Sequence, residues 1–311
     1  MFKIMILPWW LYFTLAAQEQ LSRTQVHMGT LITITLPLHQ SAWIEKGFER
    51  IKELDNALSS FQEYGDIYRL NHEHNVSITS DTYEALRLSQ QYYTQTQGYF
   101  DISVGAITKK LYRFGEIQQR ATPTALENAS LNAKALTLTP HRAATPENIT
   151  LDLGGMGKGF AIDKVAALYQ EHHITAGIIA ASGDIRCLDL CNIAIEDPFS
   201  ATPLEHFTTR QPNTAVSTSG NYRRYVGSTK HNHLINPKRK RSQQQIASLT
   251  LISSYLSNSA LDAYATAASV MPKKRALAFL NNLKLAYVII TIQNERIQSD
   301  NLALFVTQHR H

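Results

Sequence analysis

Cysteine is almost missing from this 311-residue chain, which has only Cys187 and Cys191. No histidine or further cysteine stands at ligand spacing beside them, so they do not make a thiolate metal site on their own. In an oxidising compartment they would close a small hairpin disulfide with a turn around Asp189; otherwise they remain two thiols. A strong charge bias is missing too. The net charge is +5 and the basic residues are scattered apart from Lys238-Arg239-Lys240-Arg241, which follows Pro237 and reads as a solvated loop or as a phosphate or partner contact. No nucleic-acid module follows from such a balance. There is no repeat period and no low-complexity tract. What remains, with 44% hydrophobic composition, is a globular chain able to bury a sizeable core as one large domain or two joined lobes.

Long apolar runs are also scarce. The one candidate is at the start, where Lys3 precedes a mostly apolar Ile4 to Leu15 and small Ala16-Ala17. It is short for a bilayer span and reads as a targeting or anchoring segment over 1–17, followed by one domain over 18–311. Leu15-Ala16-Ala17-Gln18 looks like a bacterial lipobox with Gln18 in place of the acceptor cysteine, so lipid cannot attach there. The expected location is periplasmic, with inner-membrane association if the segment is not cleaved.

The most informative stretch is Leu151-Asp152-Leu153-Gly154-Gly155-Met156-Gly157-Lys158-Gly159, a carboxylate, four glycines and a lysine between apolar runs. Glycines permit positive φ and close backbone approach, and a helix beginning near Phe160 would aim free N–H groups at a phosphate. The stretch matches neither GxGxxG nor GxxxxGK[ST], so it supports neither a Rossmann nor a P-loop reading, and an ordinary strand-to-helix turn is the plain alternative.

Around it, β-branched alternation predicts a strand over His27–Leu38 ended by Pro37, and apolar spacing predicts a helix over Trp43–Leu58. A further helix should open at Asp81 with Glu84 as capping-box partner and close at Gly98. Strands are expected at 136–138, 149–153, 176–181, 191–195, 214–218, 246–252, 286–292 and 302–306, and helices at 162–172 and 261–270. The interleaving lacks regular βαβ spacing, which indicates a mixed α+β protein with a cleft between lobes.

Asp262 and Thr266 lie one helical turn apart on one face and would suit a hard cation such as Mg²⁺, with a Gly155 carbonyl as a third ligand. Equally, Asp262 could cap the helix and Thr266 face the core. His233, in His233-Leu234-Ile235-Asn236-Pro237, could serve as acid or base, and Ser217 to Tyr222 is a hydroxyl-rich turn.

Taken in order, these pieces resemble the ApbE family of flavin transferases. The resemblance is carried by Met28-Gly29-Thr30, by Ser59-Ser60-Phe61 through Arg69-Leu70-Asn71, and by Gly98-Tyr99-Phe100-Asp101-Ile102-Ser103-Val104-Gly105. It continues through the Asp152 stretch, Ser182-Gly183-Asp184, Thr218 to Tyr222, the His233 block and Asp262-Ala263-Tyr264-Ala265-Thr266. It implies an α+β, T-fold-like, two-lobed architecture of mixed sheets with FAD in the cleft. The implied activity is Mg²⁺-dependent transfer of FMN from FAD to a Thr or Ser hydroxyl of a membrane redox protein, releasing AMP. By the same resemblance, Met28, Phe61, Tyr99, Phe100, Asp101, Asp152, Lys158 and Ile235 contact FAD. Gly155, Asp262 and Thr266 hold Mg²⁺, and His233 and Asp262 are catalytic. The chain departs from the family pattern at Phe61, Gly65, Asn236 and Lys238-Arg239-Lys240. The missing carboxylate at Asn236 keeps open an FAD-binding protein without transferase activity, and water replacing the acceptor would give an FAD pyrophosphatase.

Overall fold

The computed structural model describes residues 19–309, so the expected leader at 1–17 lies outside the described residues. Among the described residues, no helix is long and apolar enough to cross a membrane. Eight strands form one sheet in which spatial order follows chain order. They are β1 (Gln20–His27), β2 (Thr30–Pro37), β3 (Ile178–Ala181), β4 (Asp184–Cys187), β5 (Thr214–Gly220), β6 (Ile246–Ser253), β7 (Ala286–Thr291) and β8 (Arg296–Gln298). Every pairing between them is antiparallel.

The predicted strand over His27–Leu38 is β2. Its hairpin partner β1 leaves little trace in the sequence, because this edge strand has no fully buried residue and so no apolar alternation. Deeper in the sheet, β6 is buried at every position. Leu249 and Leu251 face the helices. On the other face Ile252, with Val216, Val288 and Ile290, packs against Phe207, Ile193 and Val306 of a three-stranded sheet made from 192–196, 203–209 and 306–309. The Cys187–Cys191 disulfide links the end of β4 to the start of that second sheet, with a Cα–Cα distance of 5.8 Å.

The helices that matter for the site are α1 (Ala42–Leu58), α2 (Asp66–Glu73), α3 (Ser80–Gln95), α4 (Gly157–Glu171), α5 (Asn258–Val270) and α6 (Lys273–Asn282). Helix α1 buries Ile44, Phe48, Ile51, Leu54 and Leu58, the stripe its spacing predicts. Helix α3 starts differently from expectation. Thr79 caps it by accepting the Thr82 N–H at 3.2 Å, while Asp81 pairs with Arg50 of α1 at 2.6 Å and Glu84 with Lys164 of α4 at 2.5 Å. Both acids are used between helices and not within a capping box.

Helix α5 is alanine-rich and buried on all sides, so the sheet and α4 can approach it closely. Of its residues only Thr266 is not buried. The cap is Ser257, whose hydroxyl accepts the Ala260 N–H at 3.2 Å, so Asp262 is not the capping residue. Two strand expectations fail. Leu302–Phe305 is a helical turn before a strand at Val306–His309, and 149–153 is extended but pairs in no ladder beyond a bridge between Val104 and Thr150.

Candidate functional site

The segment 149–153 runs along the body of the protein, held by a side chain where a neighbouring strand would otherwise be. Asn71 of α2 donates to the Leu151 carbonyl at 3.0 Å and accepts the Leu151 N–H at 2.7 Å, and the Asp152 N–H reaches the Ile102 carbonyl at 2.7 Å. A buried amide satisfying both backbone groups does what a ladder partner would do. Asp152 follows, accepting from the Thr108 hydroxyl at 2.5 Å and the Gly154 N–H at 2.9 Å. Burial alone would raise its carboxyl, but Lys109, Thr108, Gly154 and Arg224 outweigh it and hold the group below the usual range, so it is ionised.

The glycines that follow do not serve as expected. None of Gly154, Gly155, Gly157 and Gly159 has positive φ, and α4 begins at Gly157, three residues before Phe160. Gly155 and Gly159 are small because protein lies against them. A Cβ on Gly159 would fall 2.4 Å from the Asn258 carbonyl oxygen, and one on Gly155 would meet Thr266 at 3.2 Å. One glycine seats α4 on α5 and the other brings the bend to Thr266.

At that junction, charge is concentrated. The Lys158 ammonium lies 3.2 Å from Asp184 Oδ2 at the start of β4 and 3.2 Å from Asp262 Oδ2 on α5. Both carboxylates are buried. Burial, then the Asp262 charge, push the Asp184 carboxyl up to about 7 against Lys158 and a hydrogen bond from Ser217, while the two carboxylates hold the lysine firmly protonated despite its desolvation. The Thr266 hydroxyl stands 3.5 Å from the Gly155 carbonyl oxygen. Sequence reasoning quoted Asp184 only as part of Ser-Gly-Asp and gave it no role.

These donors fit a hard divalent cation. Two buried carboxylates against one ammonium leave negative charge uncompensated, and a hydroxyl and a carbonyl oxygen complete a set of oxygen ligands of the kind Mg²⁺ takes. Among the described residues no three His, Cys, Asp or Glu side chains gather into a metal site, so a cation here depends on Thr266 and Gly155.

One carboxylate sets the relative placement of the elements carrying this cluster. Asp163 of α4 accepts the N–H groups of Asn258 and Ser259 at the start of α5, both at 2.8 Å, and the Arg186 guanidinium of β4 at 2.9 Å.

His233 is half-buried on the loop before a short hairpin of Ile235–Asn236 and Arg241–Ser242. Its Nδ1 lies 3.1 Å from the Arg224 carbonyl oxygen. A carbonyl only accepts, so Nδ1 carries the proton and Nε2 keeps its lone pair. Burial does most to bring the imidazole down to about 4, partly opposed by that bond, and the Arg224 and Lys158 charges push the same way as burial. It is neutral near pH 7. Asn236 makes no hydrogen bond to it. That side chain donates to the Val270 carbonyl at the end of α5 at 2.6 Å and accepts the N–H groups of Lys238 and Arg239 at 2.9 and 3.1 Å.

The remaining predicted FAD contacts divide. Met28, at φ 52 in the β1–β2 turn, reaches over Gly157, its Cε 3.6 Å from where a Cβ would stand. Phe61 is exposed with the Lys109 ammonium 3.8 Å from its ring centroid, and Tyr99 is half-buried with the Arg275 guanidinium 4.9 Å and the Lys238 ammonium 5.9 Å from its ring. These three side chains keep accessible surface. By contrast, Phe100 is in the core edge-on to Tyr92, behind Gly155, and Ile235 packs with Ile107, Tyr112 and Phe114. Asp101 is buried and accepts from the Ser103 N–H and hydroxyl at 2.8 and 2.6 Å. Those three side chains are buried against other groups of the protein.

A sequence model of the ApbE family matches residues 28–289. The chain is 26% identical over 287 residues to an FAD:protein FMN transferase from Vibrio cholerae, covering 84% of each. It is 30% identical over 191 residues to one from Rhodobacter capsulatus, of which it spans 36%. The fold matches the crystal structure of the ApbE protein from Thermotoga maritima with a TM-score of 0.85 at 21% identity, covering 92% of this chain and 99% of that one.

Proposed function

Since the chain belongs to the ApbE family, we propose that it is a flavin transferase that moves FMN from FAD to a Thr or Ser hydroxyl of an acceptor redox protein and releases AMP. The observation that carries this reading is the contact of the Thr266 hydroxyl with the Gly155 carbonyl, one helical turn from an Asp262 that shares Lys158 with a second buried acid. The residues that would hold Mg²⁺ are Asp262, Thr266 and Gly155. Bound there, the ion neutralises charge on the diphosphate and on the departing AMP.

The chain's own groups do the rest. Neutral His233, proton on Nδ1, takes the acceptor hydroxyl proton at Nε2 as the oxygen forms its bond to the FMN phosphorus and the bond from that phosphorus to the AMP oxygen breaks. Lys158 and the first turn of α4 lie on the side where diphosphate charge would be met. Met28, Phe61 and Tyr99 offer apolar and aromatic surface to the flat rings. Asn236 gives no support to a binding-only reading, because it orients the hairpin and not the base. We place the reaction outside the cytoplasm, in the periplasm, which the Cys187–Cys191 disulfide supports.

The test is to incubate the protein with FAD, Mg²⁺ and a peptide carrying Asp-x-Thr-Gly-Ala-Thr. Flavinylated peptide with AMP supports transfer, free FMN with AMP shows a pyrophosphatase, and unchanged FAD shows a binding protein. Asp262→Ala should abolish turnover in either enzyme, and full retained activity would remove the cation site.

A further inference from the structure

Two basic runs that are distant in sequence meet at one aromatic ring beside this site. From one side, Lys238 of the hairpin turn places its ammonium over Tyr99; from the other, Arg275 of α6 places its guanidinium over the same ring. Tyr99 precedes Phe100, which backs Gly155. Exposed Arg239 and Arg241 continue the first run and exposed Lys274 the second. Among the described residues none of these five cations forms a salt bridge; Arg275 bonds the Gln97 amide, and Lys238 feels the charge of Asp101, which is buried and hydrogen-bonded to Ser103.

Both runs sit where folding does not favour them. Helix α6 opens with Lys273-Lys274-Arg275 and no acid in its first turn, although the positive end of a helix disfavours cations. In the hairpin, Lys240 takes φ 51, a conformation glycine adopts freely, and its ammonium is used on the Glu127 carbonyl at 2.8 Å. The turn is pinned by Asn236, so Arg239 and Arg241 are presented on a fixed loop six and eight residues after the base His233. Unpaired, oriented positive charge at the rim of a site steers a negative partner.

We propose that this basic crescent is the docking surface for the acceptor protein, and that it selects acceptors with an acidic segment flanking the target hydroxyl. The proposal rests on the transferase reading for its choice of partner. Its location favours a protein over a membrane, because the crescent gathers on Tyr99 and its hairpin follows directly in the chain from His233, the base that a protein hydroxyl must reach.

The experiment measures binding and transfer separately. Two fluorescent peptides carry the same Thr segment, one preceded by a run of glutamates and the other by glutamines. Fluorescence anisotropy with the FAD-loaded, full-length protein should show the glutamate peptide binding about tenfold tighter at low salt, with the advantage lost in high salt. It should also be lost in Arg239→Glu/Arg241→Glu and reduced in Arg239→Gln/Arg241→Gln, with FAD affinity unchanged in all. Equal binding of the two peptides overturns the proposal. So does a peptide preference that survives charge reversal while binding to phosphatidylglycerol–phosphatidylcholine vesicles is lost, which would make the crescent a membrane face. Charge-dependent binding without flavinylation would leave the dock standing and remove the transferase reading.

Discussion

The Lys158 ammonium stands 3.2 Å from Asp184 Oδ2, and among the described residues that lysine is the only positive charge in contact with two buried acids. Lys158→Ala therefore leaves two buried carboxylates without a counter-ion and should destabilise the metal-free protein by about 3–5 kcal/mol. Mg²⁺ should recover much of that loss. Denaturant titrations with and without the ion measure both, and a variant equally stable in EDTA and in Mg²⁺ would contradict the cation site.

Burial of Asp184 beside Asp262 sets a pH dependence. Asp184 is pushed up to about 7 in the folded protein from an ordinary carboxyl value of 3.8, so the native state holds its proton more tightly than the unfolded one. Its contribution is complete below about pH 4 and is lost as pH rises through 7. The metal-free protein should lose this stability between those values, and saturating Mg²⁺, which favours the ionised acid, should flatten the curve. Asp184→Asn should remove the dependence.

Because His233 is brought down to about 4, the acidic limb of kcat/KM at saturating Mg²⁺ should lie well below the ordinary histidine value of 6.5. His233→Ala should lower kcat by roughly a hundredfold or more while FAD binding persists. A limb at 6.5 would show that the imidazole is solvated in the working enzyme.

Asn236→Asp, the change toward the family pattern, should be harmful here. A carboxylate cannot donate to the Val270 carbonyl that the Asn236 amide serves, so about 1–3 kcal/mol should be lost. Since Asn236 makes no hydrogen bond to His233, kcat of the folded fraction should hold. Chemical denaturation and initial rates separate the two effects.

Gly159→Ala would force a methyl group onto the backbone of Asn258 and Ser259. Helices α4 and α5 would have to part, at about 1–3 kcal/mol, with Lys158 moving relative to Asp262. Weaker Mg²⁺ affinity together with a lower Tm is the expected pair of observations.

How much of this was legible in the sequence depended on whether a pattern had one cause or several. Helix α1 and strand β6 could be read because a single buried stripe or a continuous apolar run dictates each. Strand β1 could not, since its pairing rests on backbone bonds and exposed threonine and serine contacts. The 149–153 segment looked like a strand for a sound reason, but its partner is the Asn71 side chain, which no local pattern announces. In the site, Thr266 and Gly155 do meet, and Asp262, one helical turn from Thr266, meets Lys158. Asp184 and Asp163 were in view as residues, yet their importance lies in contacts across 78 and 95 positions of chain, Asp184 sharing Lys158 with Asp262 and Asp163 capping Asn258. The glycines stood out, but the positive φ expected of them is absent, and the packing of Gly159 on the start of α5 has no local signal, because close approach to a ligand and to a neighbouring helix use the same residue.

Asp163 clasps β4 and the first turn of α5 from its seat on α4, and it does so from outside the charge cluster. The three carriers of Lys158, Asp184 and Asp262 are thus riveted to one another by bonds that use none of those three side chains. On the proposed function, an occupant would enter and leave a standing frame without any of those bonds having to break.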